Sequence, residues 1–245
     1  MPERVKINGT AYDLPVSVSD ITLQRFIKWT ELERAEMPDE LRTIVEDDDG
    51  ERKVLKAKRL PKRTYVRKIV PYYAKVVSIL ADIPLNVLLG DKENEGAPVI
   101  MLEAWYWRAV NALASFQYDP TLTRFYINAE AWVLPEANMV RSTFGQFAEA
   151  AQYEDYAADV AGGNWARIPH VMAVLLRPEG EAYDPYKFDD DAFIEERAEI
   201  MRRQTMDTVY QVCFFLLERN ENSRTDSLIY TLARLLATSK QALKS

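Results

Sequence analysis

The residues able to do chemistry are few and lie far apart. In 245 residues there is one histidine, His170, and one cysteine, Cys213, so a Cys/His zinc centre cannot be assembled. Cys213 sits in the apolar run Val209-Tyr-Gln-Val-Cys-Phe-Phe-Leu-Leu217, where a thiol packs as a small buried hydrophobe, and no internal disulfide can form. His170 follows Pro169 on an expected helix and reads as a satisfied or partly exposed helix histidine before it reads as a general base. The acidic run Glu46-Asp47-Asp48-Asp49-Gly50 is contiguous. It lacks the alternating ligands and closing bidentate glutamate of a calcium loop, so it reads as a solvated turn. Asp189-Asp190-Asp191 reads first as carboxylates gathered where a helix dipole favours them, with Asp189 or Asp191 as the cap and a metal-dependent hydrolase site as the rival. The eight glycines never take the spacing of a phosphate loop or a dinucleotide turn, and no Gly-x-Ser-x-Gly elbow is present. No catalytic residue, metal or cofactor is expected.

Charge supplies a different kind of candidate. Arg52, Lys53, Lys56, Lys58, Arg59, Lys62, Arg63, Arg67 and Lys68 form a stretch without an acid, directly after the acid-rich residues 31–51. Such a block can dock on complementary charge of a neighbouring subunit, stay a solvated face, or neutralise phosphates of a nucleic acid with steep salt dependence. The formal net charge of −7 works against bulk attraction to nucleic acid or anionic lipid. Trp105, Tyr106 and Trp107 are consecutive on an expected helix, point around it, and cannot all enter one core. The interface candidates are therefore Lys56, Lys58, Arg59, Lys62, Arg63, Arg67, Trp105 and Trp107, the last two because large aromatics are enriched where proteins meet.

The elements that must position these residues follow from pattern. Asn8-Gly9 between two short alternating runs predicts a two-residue hairpin ending at Pro15. Ser19, Asp20 or Thr22 can cap a helix carrying Leu23, Phe26, Ile27 and Trp29, which Met37-Pro38 interrupts. Residues 41–60 read as a second, charged hairpin that projects as an arm. A helix from Lys62 or Thr64 to Ile83 would turn Val66, Ile69, Val70, Tyr73, Val77 and Leu80 inward, with a kink at Pro71. Residues 97–115 read as a helix apolar around most of its circumference through Ile100, Leu102, Trp105, Tyr106, Val110 and Leu113. Further strands are expected at 124–127 and 131–134, and helices from Ser142 or Thr143, at 165–176, from the aspartates to Met201, at 205–219 and at 225–243. The 48% hydrophobic share is enough for a real core. No stretch reaches the roughly 18 apolar residues of a membrane span, and Met1-Pro-Glu-Arg4 lacks a secretion signal's apolar core.

The chain also resembles itself. Val5-Lys-Ile-Asn-Gly-Thr-Ala-Tyr-Asp-Leu-Pro15 aligns with Phe125-Tyr-Ile-Asn-Ala-Glu-Ala-Trp-Val-Leu-Pro135, and Thr22-Leu-Gln-Arg-Phe26 with Thr143-Phe-Gly-Gln-Phe147. A catalytic centre is rarely built twice in one chain, whereas packing units often are, so the similarity points to assembly over bond making. The expected fold is α+β and predominantly α-helical. It has two pseudo-repeated units, 1–118 with the charged arm at 41–60, and 119–245 with a C-terminal amphipathic helix, each a short β-hairpin followed by packed helices.

Tyr12-Asp-Leu-Pro15, Ile21-Thr-Leu-Gln-Arg-Phe26, Ile79-Leu-Ala-Asp-Ile-Pro84, Ser142-Thr-Phe-Gly-Gln-Phe147 and Ala173-Val-Leu-Leu-Arg-Pro178 together resemble the mainly helical structural and assembly proteins of tailed bacteriophages. These are encoded among tail and connector genes, and some are labelled tail assembly chaperones. The resemblance implies a non-enzymatic protein that binds other virion, tail or connector proteins, or itself, with no cofactor and no membrane. It would act in the host bacterial cytoplasm during assembly or within the virion. The rival function is a nucleic-acid-binding accessory protein using residues 52–68.

Overall fold

A computed structural model of the chain describes residues 2–41, 45–48, 51–54, 62–92, 95–134, 165–181, 184, 187 and 190–219. The fold is α+β and mostly helical, with small antiparallel sheets. It divides into two compact units: Met1–Val16 with Lys28–Val110, and Ser17–Ile27 with Asn111–Ser245. The expected split at 118/119 thus falls at 110/111 instead, and residues 17–27 belong with the later half.

In the first unit, β1 (Glu3–Ile7) and β2 (Thr10–Leu14) pair Val5 with Tyr12 and Ile7 with Thr10. Asn8 and Gly9 both hold positive φ, as the expected two-residue turn requires. Ile7 and Leu14 face inward and are buried. Helix α1 (Leu23–Glu36) stops before Pro38, and its later turns bury Trp29 here. The arm contains the expected hairpin of β3 (Val45–Asp48) and β4 (Glu51–Val54), whose register sets Glu46 opposite Lys53 and Asp47 opposite Arg52.

The long helix begins with one turn at Lys62–Thr64, widens to a π turn at Tyr65–Ile69, and continues as α2 (Val70–Ala81). Pro71 has no N–H to donate, and its ring crowds the carbonyl four residues back. That carbonyl belongs to Arg67, inside the widened turn, so the expected kink is taken up as a π turn. The wider turn also shifts the helical faces. Ile69, Val70, Tyr73, Val77 and Leu80 are buried as expected, but Val66 is exposed. Asp82, in the left-handed region, ends α2, and a short α3 (Leu85–Leu89) follows. The loop then folds back, Ala97 N–H donating to the Leu88 carbonyl at 2.9 Å. Gly96 is required there: a Cβ would meet Gly90 N at 2.6 Å at a φ of +74°. Helix α4 (Val99–Ala112) buries Leu102, Trp105, Tyr106 and Ala109. Ile100, part of the expected apolar circumference, is 75% exposed because it lies off that i, i+3, i+4, i+7 row, and an apolar circumference does not by itself bury a whole helix.

The second unit starts from residues 17–27. The Asp20 carboxylate accepts from Ser17 N–H and Oγ, each at 3.0 Å, and the Thr22 hydroxyl accepts from Arg25 N–H at the start of α1. Thr22 forms an isolated antiparallel bridge with Thr205, in which Leu23 N–H donates to Gln204 O and Met206 N–H to Ile21 O, both at 2.8 Å. β5 (Arg124–Ile127) and β6 (Glu130–Val133) form the second hairpin, extended by the two-residue β7 (Arg177–Pro178). A short 3₁₀ turn (Trp165–Arg167) leads into α5 (Ile168–Leu175), and α6 (Asp191–Arg202) and α7 (Met206–Arg219) follow. The core holds Phe26, Trp165 and Tyr210 in mutual edge-to-face contact, a geometry that aligns positive ring edges with negative faces. The expected helices from 142 or 143 and at 225–243 lie outside the described residues.

The two hairpins share one register: Val5↔Tyr12 and Ile7↔Thr10 match Phe125↔Trp132 and Ile127↔Glu130. Their turns match too, for Asn128 and Ala129 both hold positive φ, +52° and +66°. A Cβ in that region costs about 1–2 kcal/mol, offset in part by glycine's greater freedom in the unfolded chain. Replacing Ala129 by glycine should therefore stabilise the protein by about 1 kcal/mol, and Gly9→Ala should destabilise it by a similar amount, both read as shifts in the urea unfolding midpoint.

Candidate interaction site

The basic candidates fall into two groups. Lys62, Arg63 and Arg67 are exposed around the π turn, whereas Lys56, Lys58 and Arg59 lie outside the described residues. Tyr65 anchors this turn, donating its hydroxyl to Glu103 of α4 at 2.6 Å. Burial first, and then the Glu103 carboxylate that accepts its proton, push Tyr65 well above the ordinary tyrosine range. The phenol therefore stays protonated and keeps donating at any physiological pH.

Beside this anchor, α2 and α4 share an aromatic cluster. Tyr73 stacks on Tyr106 with centroids 4.2 Å apart and planes 23° from parallel, and Trp107 meets Tyr106 and Tyr73 edge-on at 4.9 and 6.5 Å. Of the consecutive aromatics, Trp105 and Tyr106 are buried, while Trp107 sits at the rim, 36% exposed. Burial, with Glu103 second, raises Tyr73 to about 12. Burial and then the Glu33 charge raise Tyr72 as well, and the Tyr72 hydroxyl is buried with no hydrogen-bond partner among the described residues. Around the cluster α4 leaves Val99, Ile100 and Met101 exposed together with Trp107. These four residues make α4 the helix with the most exposed large apolar side chains among the described residues.

In the second unit the chemistry-bearing residues serve packing. His170 Nε2 lies 2.8 Å from Glu195 Oε2 and joins α5 to α6. Arg202 donates to the other oxygen of Glu195, and Arg202 foremost, then His170, holds that carboxyl below the usual glutamate range. Cys213 is buried, and burial pushes its thiol up to about 12, so it is neutral and inert rather than nucleophilic. Asp190 caps α6 by accepting from Ala192 N–H at 2.9 Å, its backbone extended as a cap requires; of the two expected caps, Asp191 is the first residue of the helix and Asp189 lies outside the described residues. Among the described residues no three His, Cys, Asp or Glu side chains gather to hold a metal ion, and no helix is long and apolar enough to cross a membrane.

One polar residue escaped the sequence analysis. Arg197 of α6 is 5% exposed, donates to Glu181 at 2.9 Å and to the Leu176 carbonyl at 2.7 Å, and places its guanidinium 4.8 Å from the Trp132 ring and 5.3 Å from Phe193. Its signal was its spacing: Ile194, Arg197, Ala198 and Met201 form an i, i+3, i+4, i+7 row, and an arginine on an apolar row is a buried arginine with partners.

Compared with protein-family models, curated proteins and solved structures, the chain matches none of them.

A lysine has neither the planar face for Trp132 nor the fork that reaches two acceptors at once. Arg197→Lys should therefore fail to substitute and Arg197→Ala should cost about 3 kcal/mol, since it leaves Glu181 and the Leu176 carbonyl without their donor. Thermal unfolding monitored by near-ultraviolet circular dichroism of the tryptophans measures both.

Proposed function

We propose that this chain is a non-enzymatic structural or tail-assembly protein of a tailed bacteriophage, working through protein–protein contacts in the virion or in its assembly intermediates. The observation that carries this reading is the pair of hairpins in one register, with Ile7 and Leu14 buried as Ile127 and Leu134 are. A packing unit used twice supports a scaffold. The motifs that resemble phage proteins are themselves packing residues: Ile21, Leu23, Phe26, Leu80, Ile83 and Leu176 are all buried. A second reading, a nucleic-acid-binding accessory protein, rests on the exposure of Lys62, Arg63 and Arg67 around one turn with no acid between them.

Mass spectrometry of fractionated assembly intermediates and finished particles tests the first reading. It should find the chain with tail or connector components, and its absence from every fraction, with no association between purified proteins, rejects the proposal. For the second, DNA binding at modest salt should disappear in a Lys62→Gln, Arg63→Gln, Arg67→Gln variant. Binding that persists unchanged removes this patch.

A further inference from the structure

We infer that α4 is the face through which two copies of this chain pair, their α4 helices antiparallel about a two-fold axis beside Glu103 and Ala104. Exposed large hydrophobic residues are concentrated there: Val99, Ile100, Met101 and Trp107 lie on this one helix, and Leu89 ends the helix before it. Single exposed apolar residues are ordinary, but a contiguous group marks a contact surface. Ile100, Ala104 and Trp107 follow one another at i, i+4, i+7, so they form a stripe that runs large, small, large. That order is self-complementary. Turned end for end, the Ile100 of each copy meets the Trp107 of the other, and the small Ala104, exposed at the centre, lets the two backbones approach.

Charge selects the same partner and the same direction. Copies that each carry −7 repel, so they associate where acids are sparse. On α4 the only charged residues are Glu103, held by the Tyr65 hydroxyl, and Arg108, which reaches Glu3 of its own chain and is still half exposed. Glu95 is exposed just before the helix begins. Antiparallel pairing brings the Arg108 end of each helix to the Glu95 end of the other, whereas parallel pairing would set like ends together. The ring cluster behind Trp107 holds it at the rim, so little side-chain freedom is lost on contact.

The inference deepens the assembly reading and rests on its premise that the chain works through protein surfaces, yet the two fail separately. Sedimentation velocity of the full chain, from about 1 to 200 μM, should show a monomer–dimer equilibrium. Ile100→Asp and Ala104→Glu each change a side chain that is exposed in the single chain, and each should weaken the dimer about tenfold or more while leaving the circular dichroism unchanged. For orientation, a mixture of Ile100→Cys and Trp107→Cys copies should crosslink on mild oxidation faster than either variant alone. A monomer at every concentration overturns the inference, as does a dimer indifferent to Ile100→Asp and Ala104→Glu, or crosslinking no faster in the mixture. A monomer that is nevertheless found in assembly intermediates sinks the dimer and leaves the assembly reading standing. A dimer absent from every particle fraction does the reverse.

Discussion

Two backbone hydrogen bonds organise the second unit: Leu23 N–H to Gln204 O and Met206 N–H to Ile21 O. They join segments far apart in sequence at the points where α1 and α7 begin. Each bond satisfies an amide at a helix start, where four donors lack an intrahelical partner. Because both helices start from one bridge, their inward residues converge: Phe26 from α1 and Tyr210 from α7 close on Trp165. The bridge is also why residues 17–27 belong with the later half of the chain although they follow directly on the first hairpin.

The hairpins show how far internal similarity extends and where it ends. Register and turn conformation agree, and so does the burial of Ile7 with Ile127 and of Leu14 with Leu134. Tyr12 and Trp132 then diverge: Tyr12 is half-buried, while Trp132 is buried under the Arg197 guanidinium. A third strand, β7, adds to the second hairpin alone. Register is local, set by turn type and alternation. What lies over a strand's face is set by whichever element arrives there, and that differs between the halves.

The polar groups follow the same division between local and distant causes. Asp190 caps a helix and Asp20 closes a turn for reasons within a few residues of themselves. Arg197 is buried because α6 lies on the strand and loop that carry Trp132, Leu176 and Glu181. His170 is occupied with Glu195 of the neighbouring helix, and Cys213 is sealed by apolar packing that keeps its thiol neutral. His170 and Arg197 thus join elements, while Cys213 is part of a packed core.

Sequence alone determined the elements whose causes are local. Asn8-Gly9 and the alternation around it specify a hairpin, Pro38 ends α1, and the apolar row of α2 names Val70, Tyr73, Val77 and Leu80 as buried. The pattern of residues 41–60 likewise specifies a second hairpin, whose strands are 45–48 and 51–54. Only the tertiary structure decided which side of an apolar helix stays outside. Ile100 and Trp107 are as hydrophobic as Leu102 and Trp105, and their exposure depends on how many neighbours surround α4, which no periodicity encodes. It also decided that Pro71 yields a π turn that carries Val66 outward, and that Thr22 meets Thr205. Such outcomes depend on contacts between residues distant in the chain, and a linear pattern records only the spacing of each residue from its neighbours.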